Sequence, residues 1–186
     1  MAHEPSDADL MARVVAGDHQ AFGALVTRHE DKLFAVTYRV LGNRQDALDA
    51  TQDAFLSALR QASKFRGDAA FSTWLYRIGV NACNDLLRKK KRLVLTDDPE
   101  PQEDNGARPD DEAVRRVDLQ RALAALQPEY REAVVLHDIG GVPYEEIARI
   151  TATQIGTVKS RISRGRRRLA DLLEQPAVPR SSKART

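Results

Sequence analysis

The sequence predicts an all-α protein built as two small helical domains joined by a flexible acidic linker. Three observations carry this prediction. Apolar residues recur at three- and four-residue intervals over most of the chain. No segment shows the alternation of β-branched and polar residues between tight turns that marks strands. Residues 93–112 hold eight acids against Arg108 alone, with three prolines and one glycine. Such a stretch has too little apolar surface to offset its ordering entropy, and like charge extends it. A length of 186 residues suits two such units, expected at 1–92 and 113–175, with a disordered basic tail at 176–186.

Each element has a local reason. Asp7 is a candidate N-cap for a first helix through Leu10, Val14 and Val15, ending near Gly17. Asp18 caps a second, whose apolar positions Phe22, Leu25, Val26, Leu33, Val36 and Val40 repeat until Gly42 stops it. Asn43 opens a third through Ala47, Leu48, Thr51, Phe55 and Leu59. Phe65-Arg66-Gly67-Asp68 reads as a loop, and a fourth helix runs from about Ser72 to Arg92. Beyond the linker, Val114, Val117, Leu119, Leu123 and Leu126 lie on one helix, and Pro128 suits the first turn of the next. Gly140-Gly141 breaks the chain before a short helix over Pro143–Ile150, with Glu145 and Glu146 in its first turn. After the turn Thr151-Ala152-Thr153, a long basic helix extends to about Glu174, with Thr153 as candidate cap and Ile155, Val158, Ile162, Leu169 and Leu172 facing the core.

The total charge of +2 looks too neutral for a nucleic-acid binder. Resolved along the chain it is a cancellation: residues 8–92 carry net +5, 93–112 net −7, and 113–175 net +3. Two basic segments flank an acidic tether. Cys83 is the only cysteine, which excludes an intramolecular disulfide and a multi-cysteine metal site and suits a reducing compartment. No apolar run approaches the length of a membrane span, and the start of the chain lacks the apolar stretch of a signal peptide. A cytoplasmic protein is expected, with no membrane insertion, no cofactor and no metal.

Two segments carry functional chemistry. A short helix, a tight turn and a second, basic helix form a helix-turn-helix pattern, whose outer side presents Thr157, Lys159, Ser160, Ser163 and Arg164. Arginine can bond guanine bidentately and hydroxyls can reach phosphates or base edges. The second segment is Phe65 to Arg88. Four of the ten aromatic residues of the chain fall between Phe65 and Tyr76, among Arg66, Arg77, Arg88 and the run Lys89 to Arg92. Aromatic faces with cations suit single-stranded nucleic acid, where each stacked base is worth about 1–3 kcal/mol. His3, His19, His29 and His137 are scattered, no metal-ligand spacing occurs and no phosphate-cradling glycine loop is present, so catalysis is not expected.

Asp53-Ala54-Phe55-Leu56, the Phe65–Arg88 block, the acidic linker, and Tyr144-Glu145-Glu146-Ile147-Ala148 followed by Gly156-Thr157-Val158-Lys159-Ser160-Arg161 stand in one order along nearly the whole chain. In these motifs the sequence resembles the bacterial RNA polymerase sigma factors of the extracytoplasmic function (ECF) type. The resemblance implies a transcription initiation factor that binds core polymerase, directs it to promoters and helps melt the minus-ten element. It implies core contacts, on the beta-prime clamp helices and the beta subunit, through Asp49, Gln52, Asp53 and Phe55. Minus-ten contacts would fall to Phe65, Arg66, Gly67, Asp68, Ala69, Phe71, Trp74, Arg77, Asn81, Asn84 and Arg88. Minus-thirty-five contacts would fall to Thr157, Lys159, Ser160, Ser163, Arg164 and Arg166. An anti-sigma factor is a further implied partner; a small-molecule substrate is not. Departures concentrate in the second motif: Thr151 replaces a usual leucine, Ala152 a turn glycine, Gln154 a frequent proline and Pro143 a capping serine. The rival reading is a helix-turn-helix regulator acting without the polymerase, which leaves the aromatic and basic segment unexplained.

Overall fold

The computed structural model describes residues 4–94 and 119–174, with no strand among them. The expected linker from residue 95 onward, Val114, Val117 and the tail lie outside the described residues. In order come α1 (Asp7–Val15), α2 (His19–Leu41), α3 (Arg44–Arg60), a single 3-10 turn (Ala62–Lys64) and α4 (Phe71–Val94). A helix over residues 119–124, here α5, precedes α6 (Pro128–Val134), α7 (Tyr144–Ile150) and α8 (Ile155–Glu174).

The caps explain the boundaries. The first helix is capped by Ser6 rather than Asp7: the Ser6 hydroxyl accepts from the Asp9 amide, and the Asp9 carboxylate accepts from the Ser6 amide, a reciprocal capping box. Asp7 instead turns inward, accepting from Arg28 at 2.6 Å and pairing with the buried His29 ring at 2.8 Å. Asp18 and Asn43 cap α2 and α3 as expected, and Gly42 ends α2 at φ +77°. Pro128 occupies the first turn of α6, where its missing N–H is no loss. That helix then widens over Val135–Ile139, where the Gly140 amide donates to the Val135 carbonyl five residues back, an irregularity the sequence did not announce.

Helices α2, α3 and α4 form the main bundle, with Leu25, Leu33, Ala54, Leu75 and Cys83 fully buried. Burial of Cys83 pushes its thiol up to about 12, so it is packed and inert. Thr37 and Thr51 lie inside, their hydroxyls bonded to each other at 2.9 Å and to the Ala47 carbonyl, so the polar pair leaves nothing unsatisfied. In the second group, Gly165 of α8 lies against α6 so closely that a Cβ there would meet Val134 Cγ2 at 2.6 Å. Val158, Ile162 and Leu169 are buried as expected, but Ile155 is exposed at the helix start, which is a correction to the periodicity reading. The two groups share one continuous core.

Candidate nucleic-acid interface

The loop between the 3-10 turn and α4 is shaped by Gly67, whose φ of +76° is accessible to glycine at little cost. It projects Arg66, Gly67 and Asp68 into solvent, with a loose Arg66–Asp68 pair at 3.9 Å. Beneath it three rings cluster: Phe65 to Trp74 at 5.4 Å, Phe65 to Phe71 at 5.8 Å and Phe71 to Trp74 at 5.9 Å. Phe71 is buried, with the His29 ring on its far side at 5.1 Å, and His29 is held by Asp7. The N-terminal helix therefore props the loop from below.

Trp74 is half-buried, and it borders a cleft of about 200 Å³ together with Lys64, Phe65, Arg66, Thr73 and Arg77. Asn81, one turn beyond Arg77 on α4, is exposed, and Asn84 is half-buried and bonded to Glu132. Arg88 is exposed and paired with Asp85. An apolar wall with cations at its rim can stack a base and neutralise the phosphates beside it. The structure thus brings Phe65, Arg66, Gly67, Asp68, Ala69, Trp74 and Arg77 together at one cleft. Phe71 is a support of that cleft, not a wall of it. Lys64 and Thr73 line the cleft as well, outside the positions the resemblance implies; Lys64 stands one residue ahead of the aromatic segment.

On α3, Asp49, Gln52 and Asp53 share an exposed face. Phe55 does not join them: it is buried, edge-to-face with Phe22 at 6.3 Å. The exposed apolar residues of that face are Leu48 and Leu56, at 43% and 45% exposure.

On α8, Ser163 and Arg164 are exposed and Thr157 is half-buried. Lys159 stands over the Tyr144 ring at 5.8 Å, Ser160 donates to the Thr157 carbonyl at 2.9 Å, and Arg166 is paired with Asp138, which holds its guanidinium above the usual arginine range. His137 and Asp138 are each engaged: His137 with the Val142 carbonyl at 3.0 Å and stacked on Tyr144, Asp138 with Arg166. The turn before α8 takes the strain expected of Ala152, at φ +50°. Thr151 satisfies its hydroxyl locally, donating to the Ile147 carbonyl at 2.8 Å and bonding Thr153 Oγ1 at 3.0 Å. Thr153 is thereby engaged with Thr151, and α8 begins at Ile155. Among the described residues no His, Cys, Asp and Glu group can hold a metal, and no helix is long and apolar enough to cross a membrane.

Residues 25–93 match the family model for sigma-70 region 2, and residues 116–169 match that for sigma-70 region 4. The ECF RNA polymerase sigma factor SigM of Mycobacterium tuberculosis is 45% identical over 92% of this chain and 86% of its own length. The chain belongs to the ECF sigma factors. The ECF sigma-E factor of Escherichia coli is 37% identical over 97% of this chain and all of its own. Among solved structures, the sigma factor RpoE in complex with the anti-sigma factor NepR from Bartonella quintana has a TM-score of 0.74 and 29% identity, over 84% of this chain and 98% of that one. CnrH in complex with the cytosolic domain of CnrY has a TM-score of 0.71 and 29% identity, over 93% of this chain and 100% of that one. As a sigma factor, the protein is a transcription initiation factor that acts with RNA polymerase.

Proposed function

We propose that this sigma factor divides promoter recognition between its two helical groups. The group around α2–α4, with its boundary near residue 92, docks on core polymerase and holds the non-template strand of the minus-ten element. The group around α6–α8, residues 113–175, reads the minus-thirty-five duplex. The observation that carries the reading is the Trp74 cleft, an aromatic wall ringed by Lys64, Arg66 and Arg77 under a glycine-shaped loop. A base leaving the stack costs a few kcal/mol, which contacts in such a cleft recover. Asn81 and Arg88 continue the track along α4, one for base edges and one for phosphate.

Core docking is assigned to Asp49, Gln52 and Asp53 with Leu48 and Leu56, since Phe55 is committed to packing against Phe22. An acidic and amide rim around two exposed leucines suits a basic helical partner such as the beta-prime clamp helices. Thr157, Lys159, Ser163 and Arg164 are assigned to the duplex, with Arg166 available once Asp138 yields it to phosphate. The two elements lie about 85 Å apart at about 34 Å per duplex turn. Twenty linker residues span at most about 70 Å, and the two groups cover the remainder. The protein works in the cytoplasm, without catalysis or cofactor. An anti-sigma factor is proposed as a partner, supported by the partners named for both structural relatives.

A regulator acting without the polymerase accounts for α7 and α8 but leaves the cleft without a role. Run-off transcription with purified core enzyme and candidate promoters tests the proposal. Initiation that requires this protein is the expected result; a protein that never yields an initiating holoenzyme overturns it.

A further inference from the structure

The loop that shapes the Trp74 cleft has open space on both sides. The cleft itself, about 200 Å³, lies on one side. On the other, a hollow of about 450 Å³ lies between Gly67, Asp68 and Ala69 and the start of α1 at Ser6, Asp7 and Ala8. Between Lys64 and Ser72 only Phe71 is buried. A loop flanked by two hollows has little packing of its own to fix it, so its position depends on what lies beneath Phe71. What lies there is the His29 ring, at 5.1 Å from the Phe71 ring and tilted 59° to it.

His29 is itself held. Ser6 and Asp9 satisfy the start of α1 between them, which releases the Asp7 carboxylate from capping. One of its oxygens accepts from Arg28 Nη1 at 2.6 Å, and the other meets His29 Nε2 at 2.8 Å. Arg28 and His29 are neighbours on α2 and diverge by about 100° around the helix. One carboxylate spanning both therefore pins the start of α1 and the plane of the imidazole together. Because a carboxylate only accepts, Nε2 carries the hydrogen. Arg28 completes the tie, donating also to Glu4 Oε1 at 2.8 Å and to the Pro5 carbonyl at 3.2 Å, and Asp7 and Glu4 hold its guanidinium above the usual arginine range. The histidine side chain is 9% exposed, so its bond to Asp7 is an interior contact that fixes ring orientation.

We infer that Asp7 and His29 are positioning residues for capture of the unpaired strand. The Asp7 carboxylate fixes the imidazole, and the imidazole is the floor on which Phe71 rests, and with it the Gly67 loop over Trp74. Both act through Phe71, and neither contacts the strand. This rests on the minus-ten reading of residues 65–77. The support is a fixed floor rather than one ring geometry, so Phe71→Leu retains it. Without the floor the loop is in place in only a fraction of molecules, and affinity for the strand falls by that fraction. The α3 face with Asp49, Gln52 and Asp53 takes no part, so docking on core polymerase is independent of the device.

Holoenzymes carrying Asp7→Ala, Asp7→Asn, His29→Gln and Trp74→Ala are compared with the parent in open-complex formation. The templates are a promoter from which the parent initiates and the same promoter pre-melted at the minus-ten element. Asn43→Ala, which removes the α3 cap beyond the far end of α2, is the reference for lost stability alone. Asp7→Ala and His29→Gln are expected to lose about tenfold on the duplex and about threefold on the pre-melted template, with core affinity unchanged. Asp7→Asn, which keeps an acceptor oxygen for His29, is expected to stay within about twofold of the parent. In the free chains Trp74, the only tryptophan, reports the loop: its quenching by acrylamide is expected to rise about twofold in Asp7→Ala and His29→Gln and not in Asn43→Ala. Far-UV circular dichroism and thermal melts check folding. If Asp7→Ala loses helix, His29→Gln carries the comparison, since it still offers an N–H to Asp7 and lacks only the ring. Folded variants that open the duplex and quench as the parent does overturn the positioning role. So does a loss no greater than that of Asn43→Ala at equal melting temperature, or an Asp7→Asn protein that fails as badly as Asp7→Ala. Where Trp74→Ala still loses opening, any of these results removes only the positioning role and leaves the minus-ten reading standing; parent-like opening by Trp74→Ala removes that reading.

Discussion

Replacing Trp74 separates strand binding from folding, because its neighbour Phe71 provides the opposite case. Trp74 gives one face to Phe65 and Phe71, at 5.4 and 5.9 Å, and borders the cleft with the rest. Trp74→Ala removes a stacking platform worth about 1–3 kcal/mol per base, roughly a fivefold to 150-fold loss in holding the strand. It also forfeits two ring contacts worth about 0.5–1.5 kcal/mol each in stability, which leaves a folded protein. Phe71, 2% exposed, behaves oppositely: Phe71→Ala costs about 3–5 kcal/mol of stability, whereas the shape-tolerant Phe71→Leu costs about 1–1.5 kcal/mol. The assay is open-complex formation by holoenzymes on a duplex promoter and on the same promoter pre-melted at the minus-ten element. Trp74→Ala is expected to lose duplex opening by the stated factor and to recover part of it on the pre-melted template. Phe71→Leu is expected to open the duplex nearly as the parent does. Wild-type opening by Trp74→Ala refutes the reasoning, and so does a Phe71→Leu holoenzyme of unchanged melting temperature that fails as badly as Trp74→Ala.

Three further outcomes follow from backbone and burial. Gly23 sits on α2 with nothing within 4 Å of an added Cβ, so Gly23→Ala should stabilise by about 0.5–1 kcal/mol; Gly165→Ala makes the same propensity gain but drives its Cβ to 2.6 Å from Val134, and chemical denaturation should show a net loss of about 1 kcal/mol. Ala152→Gly relieves the φ of +50° and should raise stability by about 0.5–1 kcal/mol in the same measurement, with no gain if the turn is not left-handed in solution. Burial lifts the Cys83 thiol to about 12 in the folded state from an ordinary 9.0, so the unfolded chain releases the proton first as pH rises; stability conferred below pH 9 is then lost at about 1.4 kcal/mol per pH unit, a high-pH slope that Cys83→Ala should lack.

What was legible in the sequence was local chemistry. Asp18, Gly42 and Asn43 set helix ends through their own side chains or backbone freedom, so no distant partner was needed to find them. Ser6 was overlooked because Asp7 is equally good as a cap in isolation; the decision came from Asp9 three residues on and from Arg28 and His29 drawing Asp7 away. The positions implied by the family resemblance carry no information about which way each side chain points. Phe55 shares a helix face with Ala47, Thr51, Ala54 and Ala58, all buried, and helical spacing alone assigns it to the core. Phe71 follows the same logic with Leu75 and Ile78. Glu146, Arg149 and Ile150 had no local signal at all: they reach the cleft from some seventy residues downstream of Trp74, and only packing puts them there.

The near-neutral charge of the chain takes on a specific meaning in its internal acid pairs. Among the described residues, three acids of the C-terminal group lie near the surfaces considered for promoter contact. Glu132 bonds Asn84, Asp138 holds Arg166, and Glu146 faces the cleft that Lys64, Arg66 and Arg77 surround. Glu132 and Asp138 each bond a residue assigned to promoter contact, whereas Glu146 is paired with Arg149 of its own helix at 2.6 Å. Glu132 does so at a cost, since burial raises its carboxyl while Arg161 and Asn84 only partly restore the charged form. A carboxylate held in this way is an inferior occupant, displaced more readily than one in full solvent-backed pairing.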